Sequence, residues 1–141
     1  MSLGLPWLSA RYEKQALAAW RADPALATTT LARAAALNPL NDQPLILQGA
    51  IASRVGDYQG MRRSFEQAIG RNGANWYSRL ELAVALSQLG NFPRAAAQLA
   101  AARRLNPEEE IIREAQRKIG AHRPIDPAAL DKALYQQFER I

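Results

Sequence analysis

Three short segments recur at equal spacing in this chain of 141 residues. They are Leu37-Asn38-Pro39, Arg71-Asn72-Gly73 and Leu105-Asn106-Pro107, and each step from one segment to the next is 34 residues. A constant step of this length indicates a stack of like units, each a pair of antiparallel helices that buries its apolar face against its neighbours. Such an array presents a surface that can hold another molecule, so the spacing favours binding over catalysis.

The composition of the chain favours a helical fold and excludes some chemistry. By count, 48% of the residues are hydrophobic, and alanine, the best helix former, dominates that fraction. A chain of 141 residues is long enough for one domain with a modest core. The absence of cysteine excludes disulfide bonds and thiolate chemistry.

The net charge of +5 says little about partners. A basic surface attracts acidic proteins and phosphate-rich membranes, but the basic residues form pairs such as Arg62-Arg63 and Arg103-Arg104 rather than runs. A solvated surface explains this pattern more simply, and nucleic-acid binding is disfavoured. No stretch approaches the ~20 apolar residues of a membrane span, and no signal peptide is evident. Met1-Ser2-Leu3 resembles an added leader, so we expect a fragment of a longer protein.

Capping and turn residues divide the chain into helices. Asp23-Pro24, Gly56-Asp57, Gly90-Asn91 and Asp126-Pro127 each predict the start of a helix, because Asp and Asn suit the N-cap and Pro suits the first turn. The first helix is expected from about Ser9 to Ala22. The predicted organisation is a leader or linker at 1–7, a degenerate first repeat at 8–41, repeats at 42–75 and 76–109, and a capping helix, loop and C-terminal helix at 110–141.

The superposed repeats share a set of residues in phase. These are Pro39, Gly49, Gly56, Phe65, Ala68, Ala83, Gly90, Ala95, Ala102 and Pro107. The pattern resembles the tetratricopeptide repeat (TPR), which implies an all-α, right-handed superhelical solenoid of about three helix-turn-helix units plus C-terminal capping helices. The first repeat has Ala22 where the turn glycine is expected, and the second ends in Gly73 instead of proline.

Each of these residue types has a physical reason to occupy its position. Gly49 and Ala83 lie where two helices are expected to cross, and a larger side chain would push the helices apart. Gly56 and Gly90 can adopt the left-handed backbone that ends a helix. Phe65 is large enough to fill the space between consecutive repeats.

A narrower resemblance follows from the order of several segments. They are Pro6-Trp7-Leu8-Ser9-Ala10-Arg11-Tyr12, Leu37-Asn38-Pro39-Leu40, Gly49-Ala50-Ile51-Ala52, Asn75-Trp76-Tyr77, Leu80-Glu81-Leu82-Ala83 and Ala102-Arg103-Arg104-Leu105-Asn106-Pro107. This order resembles the soluble TPR tail of bacterial, especially actinobacterial, O-antigen ligase/polymerase-like membrane proteins. The resemblance implies a domain tethered to the inner membrane in a cell-surface polysaccharide protein, on a side of the membrane that stays open. The alternative is a free-standing TPR adaptor or assembly factor.

No constellation of residues in the sequence predicts catalysis, a cofactor or a metal. His122 is the only histidine, and it lies in a predicted loop without the further ligands that a zinc site requires. Glu108-Glu109-Glu110 suits the positive end of a helix dipole better than a cation site. We therefore expect a binding domain rather than an enzyme.

The predicted binding surface is the concave face lined by the first helix of each repeat, where a protein or extended peptide would bind. The candidate contact residues are Tyr12, Ile46, Arg54, Tyr77, Glu81 and Gln88. Leu80 and Val84 share the same helical spacing, which leaves open whether they belong to the groove or to the core. TPR domains that clamp the carboxylate end of chaperones use Lys and Asn at such positions, whereas this chain has Tyr12, Ala16 and Ile46. The sequence therefore argues against a chaperone clamp.

Overall fold

The computed structural model describes the backbone of residues 6–139 and the side chains of residues 13–134 and 136. Within this range the chain forms α-helices joined by short connections, with no strand. The helices are α1 (Pro6–Ala19), α2 (Pro24–Leu37), α3 (Gln43–Arg54), α4 (Tyr58–Arg71), α5 (Trp76–Gln88), α6 (Phe92–Leu105), α7 (Glu110–Gly120) and α8 (Pro127–Glu139).

Side-chain caps start α2, α4 and α6 where the sequence predicts these helices to begin. The backbone N–H of Leu26 donates to Asp23 Oδ1 at 3.0 Å, and the N–H of Gly60 donates to Asp57 Oδ1 at 2.9 Å. Asn75 and Asn91 cap α5 and α6 in the same way. These bonds satisfy N–H groups that the first turn of a helix leaves without a partner.

The first helix differs from its prediction at both ends. It begins at Pro6 rather than Ser9, and it ends at Ala19 rather than Ala22. The three residues before Asp23 form a turn, in which the N–H groups of Ala22 and Asp23 both bond to the carbonyl of Ala19. Because α2 must start at its Asp23 cap, α1 has to stop early enough to leave room for this turn.

The α3–α4 and α5–α6 connections have the same backbone geometry. Gly56 has a φ of 76° and Gly90 a φ of 79°, which is the left-handed region. In each turn the N–H of the residue after the glycine bonds to a carbonyl of the preceding helix: Asp57 to Ala52 at 2.8 Å, and Asn91 to Leu86 at 2.9 Å. The glycines close these two helices as the sequence predicts, since other residues are strained at positive φ.

The chain divides into two compact units, Met1–Gly73 and Ala74–Ile141, here the N-terminal and C-terminal units. In the N-terminal unit, α1 pairs with α2 and α3 with α4, while α2 also packs on α3. Gly49 lies directly under the buried ring of Phe65, because a Cβ built on Gly49 would stand 2.7 Å from Phe65 Cδ2. The small residue therefore sets how closely α3 approaches α4.

Arg71 joins the end of α4 to the connection between α2 and α3. Its Nη1 donates to the carbonyl oxygens of Ala35 and Asn41, each at 3.0 Å, and to that of Asn38 at 3.3 Å. The matching positions in the other repeats are Leu37 and Leu105. The departure from leucine therefore places a cation where three backbone acceptors converge.

In the C-terminal unit, α5 pairs with α6, α6 packs on α7, and α8 contacts α7. The core combines residues of all four helices and of the loop before α8. Its largest members are Leu80, Leu82, Leu86, Leu99, Ile112, Ile119, Ile125, Leu130 and Leu134. Every residue of α5 from Leu80 to Ser87 is buried, and successive helical residues point about 100° apart. The centre of α5 is therefore covered on every side.

Candidate functional site

Two of the predicted contact residues, Ile46 and Arg54, lie on a face of α3 that stays accessible. Arg54 is exposed, and Ala50 and Ser53 on the same helix are half-buried. Ile46 is half-buried against the core cluster of Ala35, Leu45 and Ala68. The remaining predicted residue of this unit, Tyr12, lies outside the residues whose side chains the structure describes.

The same face of α5, 34 residues later, is closed. Leu80 and Val84, which correspond to Ile46 and Ala50, are fully buried and belong to the core. Ser87, which corresponds to Ser53, is also buried. The repeat thus provides an internal comparison in which one first-helix face is accessible and its equivalent is covered.

The covering segment is held at Ile125 by two side chains of α5. The N–H of Ile125 donates to Ser87 Oγ at 3.0 Å, and Gln88 Nε2 donates to the carbonyl oxygen of Ile125 at 2.8 Å. Ser87 Oγ itself donates to the carbonyl of Val84 at 2.7 Å, which leaves its lone pairs free to accept. The Ile125 side chain is only 2% exposed. Both backbone groups and the side chain of this residue are therefore recognised together.

From Ile125 the chain continues into α8, which runs back along α5. Ile125 lies beside the end of α5, whereas Asp131 is near Glu81, almost two turns earlier in that helix. Leu130 and Leu134 of α8 are buried. The loop residue Ile125 therefore binds the end of α5, Asp131 of α8 lies near Glu81, and α8 also contacts the capping helix α7.

Glu81, predicted as an accessible groove contact, is buried and only 2% exposed. Burial and the nearby Asp131 carboxylate raise its pKa to about 8, while a hydrogen bond with Tyr77 acts in the opposite direction. Glu81 Oε1 and the Oγ of Ser78 are buried without a hydrogen-bond partner. The prediction of an exposed contact is wrong for Glu81, which is buried with Asp131 of α8 nearby. Helical periodicity within α5 cannot reveal this burial.

Tyr77 and Gln88, the other two predicted contacts of the C-terminal unit, are half-buried at opposite ends of the covered face. The ring of Tyr77 meets that of Trp76 edge to face, with centroids 6.4 Å apart. Gln88 belongs to the Ile125 contact. The sequence did not single out Ser87 or Ile125, although the serine pair at 53 and 87 carries the repeat spacing and offered a signal.

His122 lies at the surface, as predicted, and packs on an aromatic ring. Its ring stacks on Phe92 with centroids 5.3 Å apart and planes 8° apart. The two rings border a surface pocket of about 440 Å³ that Pro93, Leu99 and Ile119 also line. Among the described residues no group of His, Cys, Asp and Glu side chains is arranged to hold a metal ion.

Comparison with known proteins assigns the fold. Residues 54–119 match the family model of the tetratricopeptide repeat. The first TPR of Spaghetti (RPAP3), in a structure with an HSP90 peptide, is similar with a TM-score of 0.74 and 12% identity, over 82% of this chain and 93% of that one. The chain has a tetratricopeptide repeat fold.

Two further solved structures are similar. The Arabidopsis OM64 TPR domain has a TM-score of 0.72 and 19% identity, over 83% of this chain and 98% of that one. PcrH from Pseudomonas aeruginosa has a TM-score of 0.63 and 16% identity, over 81% and 87%. No curated protein sequence matches the chain. The predicted all-α TPR fold class is confirmed, and at these identities the similar structures establish the fold alone.

None of the described helices is both long enough and apolar enough to cross a membrane. In α5, the most buried helix, only 13 residues are helical, compared with the ~20 that span a bilayer.

Proposed function

We propose that this TPR chain is a non-catalytic domain that binds a protein or an extended peptide through the first helices of its repeats. The observation that carries the proposal is the contact at Ile125. Two side chains at the end of a first helix bind the N–H and C=O of one residue, at 3.0 and 2.8 Å, while its side chain is buried. A first-helix face of this protein therefore already has the chemistry of peptide recognition.

The N-terminal unit has comparable groups at the equivalent positions. Ser53 replaces Ser87 with the same hydroxyl, and Arg54 replaces Gln88 with a side chain that can also donate to a carbonyl oxygen. Arg54 is exposed and Ser53 is half-buried. Arginine is also enriched among residues that dominate binding energies. These features support α3 as a place where a partner segment binds.

A structure of the same fold supports the class of ligand. The first TPR of Spaghetti (RPAP3) is described as bound to an HSP90 peptide. We propose a peptide ligand here too, although not the chaperone carboxylate end, because Lys and Asn are absent from the corresponding positions Ala16 and Ile46.

We further propose that the parent protein is a membrane-bound O-antigen ligase/polymerase-like protein of bacterial cell-surface polysaccharide synthesis, with this chain as its soluble tail at the inner membrane. The ordered segments between Pro6 and Pro107 support this proposal. The second candidate is a free-standing TPR adaptor or assembly factor, which the same fold supports. Sequencing the parent gene decides between them, since a gene without a multi-span region upstream of Gly4 contradicts the membrane parent.

The binding proposal is tested by crosslinking and affinity capture with purified chain. We expect Ser53→Ala combined with Arg54→Ala to reduce recovery of captured partners at least threefold. Arg33→Ala is the control, because Arg33 is an exposed arginine on a second helix of the same unit. Equal recovery with the double variant and with the control argues against the α3 face.

A further inference from the structure

The segment formed by Ile125 and α8 is well hydrogen-bonded to α5 at the end of that helix but not at its middle. At Ile125 the backbone and the side chain are both satisfied. At Glu81 a buried carboxyl oxygen has no hydrogen-bond partner, and the charged group of α8 that acts on Glu81 is another carboxylate, Asp131. A buried acceptor without a donor lowers stability. The covered face therefore lacks a donor from the segment that occupies it.

A surface groove of about 180 Å³ lies between α7 and α8. It is bordered by Ile111 and Lys118 of α7 and by Ala129 and Ala133 of α8. Ala129 is exposed and Ala133 is half-buried. A helix with larger apolar residues at these two positions would bury more apolar surface in this groove.

We propose that the face formed by α5 and α7 is the docking site of a partner's amphipathic helix that sets a basic side chain against Glu81, and that α8 is an intramolecular occupant which this helix displaces. The inference rests on the peptide-binding function proposed above. It adds the class of partner and the reason that the face is closed in the chain alone.

The contacts of α8 define the sequence of such a partner. An apolar residue with accessible backbone groups takes the place of Ile125, and apolar residues five and nine positions later take the places of Leu130 and Leu134. Lys or Arg takes the place of Asp131, where its donors reach the carboxylate of Glu81. Charge-assisted hydrogen bonds of this kind are about twice as strong as neutral ones, which gives the partner an advantage over α8.

An occupant on the same chain has its own advantage, because tethering supplies it at an effective concentration in the millimolar range. A free peptide that merely equals α8 in affinity therefore binds the intact chain weakly. Better complementarity at Glu81 is what allows a partner to compete. Because α8 is tethered, it outcompetes ligands that lack the basic residue.

The test uses two synthetic peptides of residues 121–139, one native and one carrying Asp131→Lys with Lys132→Asp. The two peptides have the same composition and net charge, and the exchange reverses the sign of the charge at positions 131 and 132. Fluorescence anisotropy measures their binding to the intact chain and to an opened chain, Leu130→Asp with Leu134→Asp, whose circular dichroism is compared with that of the wild type. We expect the opened chain to bind the exchanged peptide at least tenfold more tightly than the native peptide.

Two further results are expected from the same assay. The intact chain binds either peptide at least tenfold more weakly than the opened chain does. Glu81→Gln in the opened chain reduces the preference for the exchanged peptide to below threefold. Equal binding of the two peptides, no binding of either to a folded opened chain, or equal binding by the intact and opened chains overturns the proposal.

A second variant applies if the opened chain does not fold. The same exchange, Asp131→Lys with Lys132→Asp, is made within α8 of the full chain, where it should raise the thermal midpoint of unfolding. An unchanged or lower midpoint overturns the inference. The wider binding function is measured separately through Ser53 and Arg54 in the other unit, so failure of the α5–α7 site and failure of peptide binding are distinguishable.

Discussion

Replacing Glu81 with glutamine should stabilise the protein, and the gain should grow with pH. Glutamine keeps the shape of the side chain and an acceptor for the hydrogen bond with Tyr77, but it carries no charge. In the native chain, burial and Asp131 raise the pKa of Glu81 from its usual 4.5 to about 8. The folded protein therefore holds a proton that the unfolded chain releases.

The sign of the pH effect follows from this difference in bound protons. Below pH 4.5 the folded and unfolded states are both protonated at Glu81, and its full contribution to stability is present. Between pH 4.5 and 8 the unfolded chain loses the proton while the folded chain keeps it, so stability falls as pH rises. With the pKa raised to about 8, the loss is roughly 3 kcal/mol by pH 7 and roughly 5 kcal/mol by pH 9.

Urea denaturation of the wild type and Glu81→Gln, followed by circular dichroism at pH 4.5, 7 and 9, measures this loss. We expect the two proteins to be similar at pH 4.5 and the variant to be more stable by roughly 3 kcal/mol at pH 7. Glu108→Gln, at an exposed position of the same unit, is the control for the removal of a carboxylate. A Glu81→Gln variant that shows the wild-type pH slope would refute the assignment of a buried, protonated Glu81.

Three other substitutions test the packing and turns by chemical denaturation. Gly49→Ala should lower the free energy of unfolding by about 1–3 kcal/mol, because its Cβ would meet the buried Phe65 ring. The control is Gly70→Ala, where nothing lies within 4 Å of an added Cβ, and this change should be neutral or slightly stabilising. Equal effects of the two substitutions would contradict the close approach of α3 and α4. Gly90→Ala should cost about 1–2 kcal/mol, because its φ is 79°, and a neutral result would show that this turn relaxes. Arg71→Ala should cost about 1.5–3 kcal/mol through the loss of its bonds to three carbonyl groups, and a loss below 0.5 kcal/mol would contradict this role.

The sequence alone determined where most helices begin and end, and the reason is local. Asp23, Asp57 and Asn91 satisfy N–H groups within three residues of themselves, and a glycine at positive φ ends a helix through bonds to its own last turn. Such interactions need no distant residue, so they repeat wherever the same residues recur at the 34-residue step. The end of the first helix could not be predicted in this way, because Ala22 replaces the turn glycine there.

The sequence alone could not decide which positions of the first helices belong to the groove and which to the core. Leu80 and Val84 have the spacing of both a groove and a core, because a helix covered on all sides keeps the same period as one with an open face. Only the structure shows that they are buried, whereas Ile46 and Ala50 at the equivalent positions are half-buried. The parent protein and its ligand stay proposals.

The repeat spacing thus determined the TPR fold, while the tertiary structure decided which first-helix face is accessible. The decisive contacts join Ser87 and Gln88 to Ile125, which lies 38 and 37 residues away from them in sequence. No local rule couples residues so far apart, and their pairing depends on the path of the loop after α7. The burial of Glu81 near Asp131 of α8 follows from that path, because desolvation depends on the elements that surround a carboxylate rather than on the helix that carries it.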